Sequence, residues 1–199
     1  CEGTSARQGL PRRPPRRSCE RAGGVRVGGY TEAGDTKKHT ASENAGVRSV
    51  VQAVCKPLVS AEKDLNHLDA QIGDGDTGTT FGNAARVVSR ATNRLPCADG
   101  ADLAGALSDV LSQNMGGTSG VLMAILFAAA GKAYRQNADW PSAMMEGAKQ
   151  IVQYGGAQRG DRTMLDALLP GLEALLDGKS MDEAAVRSEE HTSELQSRA

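Results

Sequence analysis

Aromatic residues are scarce: Phe, Trp and Tyr make up 3% of the 199 residues. Platforms that stack nucleobases are built from such rings, so a single-stranded nucleic-acid surface is not expected. No excess of one charge exists either. A formal net charge of −1 gives no global attraction to nucleic acid or to an anionic membrane. Apolar runs are short. The best, Val121 to Ala130, falls well below the roughly 20 residues that span a bilayer, and no apolar signal region opens the chain. The four cysteines, Cys1, Cys19, Cys55 and Cys97, match no zinc or redox spacing; reduced thiols in a cytoplasmic protein are expected. Nothing alternates with a period of two, so strands are not expected. Gly-x4-Gly-Lys-Ser/Thr is missing, which excludes a P-loop.

What is present divides unevenly. Residues 1–42 read as a basic, unstructured head or linker. Arg12, Arg13, Arg16 and Arg17 stand among Pro11, Pro14 and Pro15, without apolar periodicity. A basic arm for nucleic acid is the functional alternative there. The chain opens on Cys1 and not on Met, so a fragment of a longer protein is expected. Residues 43–186 read as one helical domain. Val47, Val51, Val54 and Leu58 fall on one helical face, and Leu65, Leu68 and Ile72 lead to a Gly-Asp-Gly-Asp turn. Residues 119–135 are apolar nearly all round, which predicts a buried central helix. Met144, Met145, Ala148, Ile151 and Val152 form one stripe, and Leu165, Leu168, Leu169, Leu172 and Leu176 another. Glycines punctuate these segments, and the predicted class is all-α. Residues 187–199 stand apart: Arg187 to Ser197 resembles the in-frame translation of a common sequencing-adapter oligonucleotide and is expected to be an artefact.

The chemistry concentrates in Leu68-Asp69-Ala70-Gln71-Ile72-Gly73-Asp74-Gly75-Asp76-Thr77-Gly78-Thr79-Thr80. Glycine lets the backbone fold tightly enough to bring Asp74 and Asp76 round to Asp69. Two charges about 4 Å apart repel by roughly 4 kcal/mol at an effective dielectric near 20. A hard divalent cation reverses that cost, and Mg²⁺ takes carboxylate oxygens with phosphates completing its shell. The threonines that follow open a helix, whose N-terminus offers amides and a positive dipole end to phosphate. Metal ligands beside a phosphate nest suit phosphoryl transfer, where catalysis is mostly positioning and charge neutralisation. An exposed Asp-Gly turn that caps a helix is the plain alternative. Gly73-x-Gly75-x-x-Gly78 fits the dinucleotide fingerprint literally, but it follows a helical pattern and sets aspartates against a pyrophosphate. Asp74-x-Asp76 opens like a calcium loop, yet its twelfth place is Ala85 and not Glu. Two further glycine loops, Met115 to Gly120 and Gly155 to Met164, also precede helices; each alone reads as a capped helix start.

Together the three loops resemble the nucleotide-binding L-domain of dihydroxyacetone kinases, from about Gly46 to Ala185. The resemblance implies an antiparallel helical barrel, incomplete here because the family's Arg- and Gly-rich lid and last helices are replaced by the adapter-like tail. It implies Asp69, Asp74 and Asp76 as ligands of two Mg²⁺ ions. It places Thr77, Gly78, Thr79 and Thr80 on the phosphate-contacting turn, Thr118 and Ser119 on a second nucleotide contact, and Gly155 and Met164 in the nucleotide pocket. ATP or ADP is the implied cofactor, and the implied reaction moves the γ-phosphate of Mg-ATP to dihydroxyacetone, a small ketose held on a separate K domain or subunit. No nucleic-acid or membrane partner is implied, and a homodimer formed through the K domain is an option. The histidine that binds the ketone belongs to that K domain, so no catalytic base or nucleophile is assigned in this chain; His67 reads as a surface or supporting residue. Thr77 stands where the phosphotransferase-system branch of the family usually has His, which favours free ATP as donor. The alternatives are the ADP-retaining phosphocarrier subunit of that branch and a non-catalytic nucleotide-binding fragment. Fatty-acid kinases share the Asp-Gly-Asp-Thr-Gly-Thr core but differ in the second loop.

Overall fold

The computed structural model describes residues 39–197, with side chains as far as Ser193. The basic head as far as Lys38, with Cys1 and Cys19, lies outside the described residues. Eight α-helices follow one another: α1 (Ala45–Ser60), α2 (Glu62–Asp69), α3 (Thr77–Ala91), α4 (Gly100–Asn114), α5 (Gly117–Asn137), α6 (Trp140–Gly155), α7 (Leu165–Leu176) and α8 (Met181–Ser197). Among the described residues the only extended pairing is an isolated bridge between Ser42 and Pro96. The all-α expectation holds.

Local chemistry sets the boundaries. Asn44, Asp99 and Asp139 cap α1, α4 and α6 by accepting from Val47, Asp102 and Ser142 amides, each satisfying an amide that the helix itself leaves unpaired. Gly156 ends α6 in the left-handed conformation at φ 72°, its amide returning to the Val152 carbonyl.

The helices run up and down. Ser108 Oγ donates to the Ala124 carbonyl at 2.8 Å, and a Cβ on Gly131 would stand 2.9 Å from the Ala101 carbonyl oxygen. As α4 is followed forwards its partners on α5 run backwards, so the two are antiparallel. The same holds for α5 and α6: Tyr134 stacks against Trp140 with ring centroids 4.6 Å apart, and Gly147 lies against Leu126. Contacts continue from α6 to α7, from α7 to α8, and on the other side from α4 through α3 to α1 and α2. Within the described residues α1 and α8 do not meet, so the row of helices is open. The main core gathers Leu126, Ala148, Ile151, Leu165 and Leu172, with the Met and Leu stripes of α6 and α7 packed round it.

Three expectations shift. On α1 it is Cys55 that is buried, while Val54 is 56% exposed; among the described residues α1 meets only α2, α3 and the short turn after α3, which cover its predicted apolar face just in part. α5, expected to be buried, buries only Gly120, Leu126, Ala130 and Gly131 among the described residues, and it is longer than its apolar run. By length and composition it could cross a membrane, with a window of mean hydropathy 1.2 of which 22% is buried, yet its flanks are occupied by α4 and α6. Finally, the end of the basic head is ordered: Cys97 N donates to the Ser42 carbonyl at 3.1 Å and Ala98 N to Ser42 Oγ at 3.0 Å. His39 lies between Asp102 (3.9 Å) and Asp109 (3.8 Å). Residues 187–197 continue α8, and Gly171 of α7 lies against Ser188.

Candidate functional site

The antiparallel order of α4, α5 and α6 brings the α4–α5 turn and the α6–α7 loop to one end, and the α2–α3 turn is the third connection that opens a helix. They are the three glycine loops singled out above.

In the α2–α3 turn, Asp69, Asp74 and Asp76 each offer a carboxylate oxygen, and these oxygens lie within 4.8 Å of one another. Asp69 ends α2 and turns back towards the chain that follows. Its Oδ2 accepts from the amides of Gly75 (3.0 Å), Asp76 (3.0 Å) and Thr77 (3.3 Å). Gly75 has φ 77°, the left-handed region that glycine enters without strain, and this lets the three amides converge. Gly73 is required on space: a Cβ there would come within 2.4 Å of Asp69 Oδ1.

The electrostatics separate the three acids. Asp69 is held below the ordinary carboxylate range, chiefly by the Thr77 amide; partial burial opposes this, and the Thr77 hydroxyl and the Asp76 and Gly75 amides add to it. Asp76 is pushed up, chiefly by the charge on Asp74, with partial burial, an Asp74 hydrogen bond and Asp69 adding. Asp74 and Asp76 are exposed and receive no hydrogen bond from a described amide or hydroxyl. Two unspent carboxylates beside a third that is already fixed form a set of hard oxygen donors with a charge deficit to fill, and that fits a divalent cation such as Mg²⁺.

At the start of α3 the donors are largely committed. Thr77 N serves Asp69, Thr79 N serves Asn66 Oδ1 at 2.9 Å, and Thr80 N serves the Asp76 carbonyl at 2.9 Å. The Thr79 hydroxyl accepts from Asn66 Nδ2 at 2.9 Å and donates to Glu62 Oε1 at 3.3 Å. Glu62 in turn pairs with Arg86, whose hydrogen bond leads in holding the Glu62 carboxyl below its usual range. Gly78 therefore carries the first-turn amide that remains without a described partner, and the Thr80 hydroxyl is also uncommitted. Thr79 faces α2.

The other two loops are simpler. Thr118 and Ser119 occupy the first turn of α5, exposed and half-buried respectively, and their hydroxyls bond to no described residue. Gly155 closes α6, and Met164, 36% exposed, precedes α7. Asp166, in the first turn of α7, shapes the loop between them. It is 1% exposed and accepts from the amides of Gly160 and Thr163. Burial pushes its carboxyl up, but the amides of Gly160 and Thr163, His191 at 4.0 Å and the Arg162 amide outweigh this and hold it low. His67 lies exposed in the last turn of α2.

Glu62, Asn66, Arg86 and Asp166 were not identified from sequence. Glu62 and Asn66 could have been found, because they precede Asp69 at helical spacing on the same face. Asp166 closes the Gly-Asp-Arg-Thr-Met-Leu-Asp stretch that contributes to the resemblance, without a role of its own, and Arg86 gave no comparable signal.

The profile of the DAK2 domain matches residues 71–199. The chain is 47% identical over 137 residues to a dihydroxyacetone kinase of Citrobacter freundii, covering 68% of this chain and 25% of that protein. It is 37% identical over 153 residues to the human triokinase/FMN cyclase, covering 75% and 27%. Among solved structures, the C. freundii dihydroxyacetone kinase in complex with AMP-PNP and Mg²⁺ aligns with a TM-score of 0.77 at 36% identity, over 96% of this chain and 34% of that one. The chain thus spans about a quarter of the length of these curated relatives. With the profile covering more than half of its residues and the helices following those of a solved relative, this chain belongs to the DAK2 domain family.

Proposed function

We propose that the chain is the nucleotide-binding part of a dihydroxyacetone kinase: it holds Mg-ATP so that the γ-phosphate passes to dihydroxyacetone carried by a separate substrate domain. The observation that carries this reading is the carboxylate trio, gathered within 4.8 Å at the foot of a helix N-terminus. Asp69, Asp74 and Asp76 would hold the metal, two ions in the fullest version. When bound, Mg²⁺ supplies charge neutralisation across the phosphates. The Gly78 amide and the Thr80 hydroxyl orient phosphate oxygens at the positive end of α3, while Thr77 holds Asp69 and Thr79 acts through α2. Thr118 and Ser119 form a second contact from α5, and Gly155 and Met164 line the nucleotide's far side. A similar protein solved in complex with AMP-PNP and Mg²⁺ supports reading the trio as part of a Mg-nucleotide site. Thr77 favours free ATP over a phosphoprotein as the donor. The acceptor and its activating groups come from the substrate domain, so transfer is not expected from this chain alone. Free Cys55 and Cys97, both buried, accord with a cytoplasmic setting.

The test is calorimetric titration of ATP into the purified chain with and without Mg²⁺, followed by mixing with an intact substrate domain and dihydroxyacetone. Saturable, Mg²⁺-dependent binding followed by ATP-dependent phosphorylation supports the proposal. Binding without transfer reduces it to a nucleotide-holding module, and no binding by a helical chain removes it.

A further inference from the structure

α2 buries none of its eight residues. Apolar packing therefore does not fix its position, although it carries Asp69. What attaches it to α3 is a polar stripe: Glu62, Asn66 and Asp69 follow i, i+4, i+7 and share one face. Each is used. Asp69 takes three amides of the turn, Asn66 bonds both the amide and the hydroxyl of Thr79, and Glu62 takes the same hydroxyl and Arg86. Glycines make the approach feasible. A Cβ on Gly78 would stand 2.0 Å from the Glu62 carbonyl oxygen, and one on Gly82 would stand 3.0 Å from Glu62 Oε2. Asn66 makes the central connection. It lies less than a turn before Asp69, and its side-chain amide meets Thr79 with donor and acceptor at 2.9 Å each.

We infer that Asn66 and Thr79 are positioning residues. The pair fixes α2 against the start of α3, and so fixes Asp69 relative to Asp74 and Asp76; cation affinity depends on it although neither side chain touches the cation. The inference rests on reading the aspartate trio as the cation site. Residues that orient metal ligands typically change affinity by about 10- to 100-fold when removed.

The experiment uses the whole chain and three variants: Asn66→Ala, Thr79→Val, which keeps the shape and removes the hydroxyl, and Thr79→Ser, which restores it. ATP binding is titrated with and without Mg²⁺, and hydrogen exchange is read at the Gly75, Asp76 and Thr77 amides. Asn66→Ala and Thr79→Val are expected to weaken Mg²⁺-dependent binding by about 10- to 100-fold. They should leave Mg²⁺-free binding within about twofold and speed exchange at the three amides by a similar factor, while Thr79→Ser stays close to wild type. Wild-type binding by both damaging variants overturns the inference, as does equal loss of Mg²⁺-free and Mg²⁺-dependent binding. Should Asn66→Ala fail to fold, Thr79→Val decides alone. If the wild-type chain binds no Mg-ATP, the exchange measurement separates the two readings: faster exchange in Thr79→Val retains the positioning role while the nucleotide reading falls, and unchanged exchange removes both.

Discussion

The α2–α3 turn and the α6–α7 loop are similar in sequence and opposite in use. Both set aspartates among glycines and threonines ahead of a helix. In the α6–α7 loop every carboxylate is committed: Asp161 accepts from the Gln158 amide at 2.8 Å, and Asp166 is buried under the amides it receives. In the α2–α3 turn only Asp69 is committed in this way, and Asp74 and Asp76 repel each other in solvent. A committed aspartate builds the loop. An uncommitted pair, held together against its own repulsion, is ready for a positive ligand.

The largest effect should come from removing that surplus charge. Asp74→Asn or Asp76→Asn is expected to reduce Mg²⁺-dependent nucleotide binding by about 100-fold, the upper end of what supporting residues of metal sites cost. Stability should move the other way. Asp76 has its folded pKa raised above the unfolded value of about 3.9, so its charge costs stability above the folded pKa, and the cost fades as pH falls through it. Without metal, Asp76→Asn should therefore melt above wild type at pH 7, with the gap closing near pH 4. A variant less stable than wild type at pH 7 would mean that the trio is a structural cap.

Asp166→Asn should show the reverse. It keeps the shape but removes charge from the hydrogen bonds to Gly160 and Thr163, and a loss of about 1.5–3 kcal/mol in urea unfolding at pH 7 is expected. The folded pKa is lowered, so the stabilisation is present above about pH 3.9 and disappears as pH falls through the folded value. The difference between wild type and variant should narrow in acid. Nucleotide affinity lost without any loss of stability would place Asp166 in the site and not in the loop's frame.

Gly78→Ala probes how closely α2 and α3 approach. Its Cβ would meet the Glu62 carbonyl oxygen at 2.0 Å, backbone that has to move. Overpacking of this kind costs about 1–3 kcal/mol, and cation affinity should fall with it because Asp69 travels with α2. Unchanged affinity would show that the turn holds its geometry without α2.

The trio and the three loops were legible in sequence because the residues that carry them are neighbours in the chain, and short glycine-linked helices dictate an up-and-down order that gathers alternate loops at one end. The clamp was not legible in full. Glu62 and Arg86 stand 24 residues apart, and a polar stripe on a short helix looks like a solvated face until its partner is known. Thr79 was read with its neighbours as a phosphate contact because all of them open a helix; only the register of α2 shows that it turns inward. On α1 the apolar period was correctly helical, but the face it buries depends on which neighbours exist, and among the described residues α1 has few.

The smallest effect belongs to Gly156, where α6 gives way to the α6–α7 loop. Nothing lies within 4 Å of where its Cβ would stand, so a side chain has space. The constraint is conformational: φ 72° at the end of α6 lies in the left-handed region, which costs an ordinary L-residue roughly 1–2 kcal/mol. Asn and Asp tolerate that region better than other residues because a short polar side chain can bond locally. Gly156→Ala should therefore lower stability by about 1 kcal/mol and Gly156→Asn by less, as read from paired urea midpoints. Equal losses from the two would instead mean that Asn finds no local hydrogen bond at this position. A nucleotide at Gly155 and Met164 would take up the open space beside Gly156, so repeating the pair with Mg-ATP present should widen the loss for both.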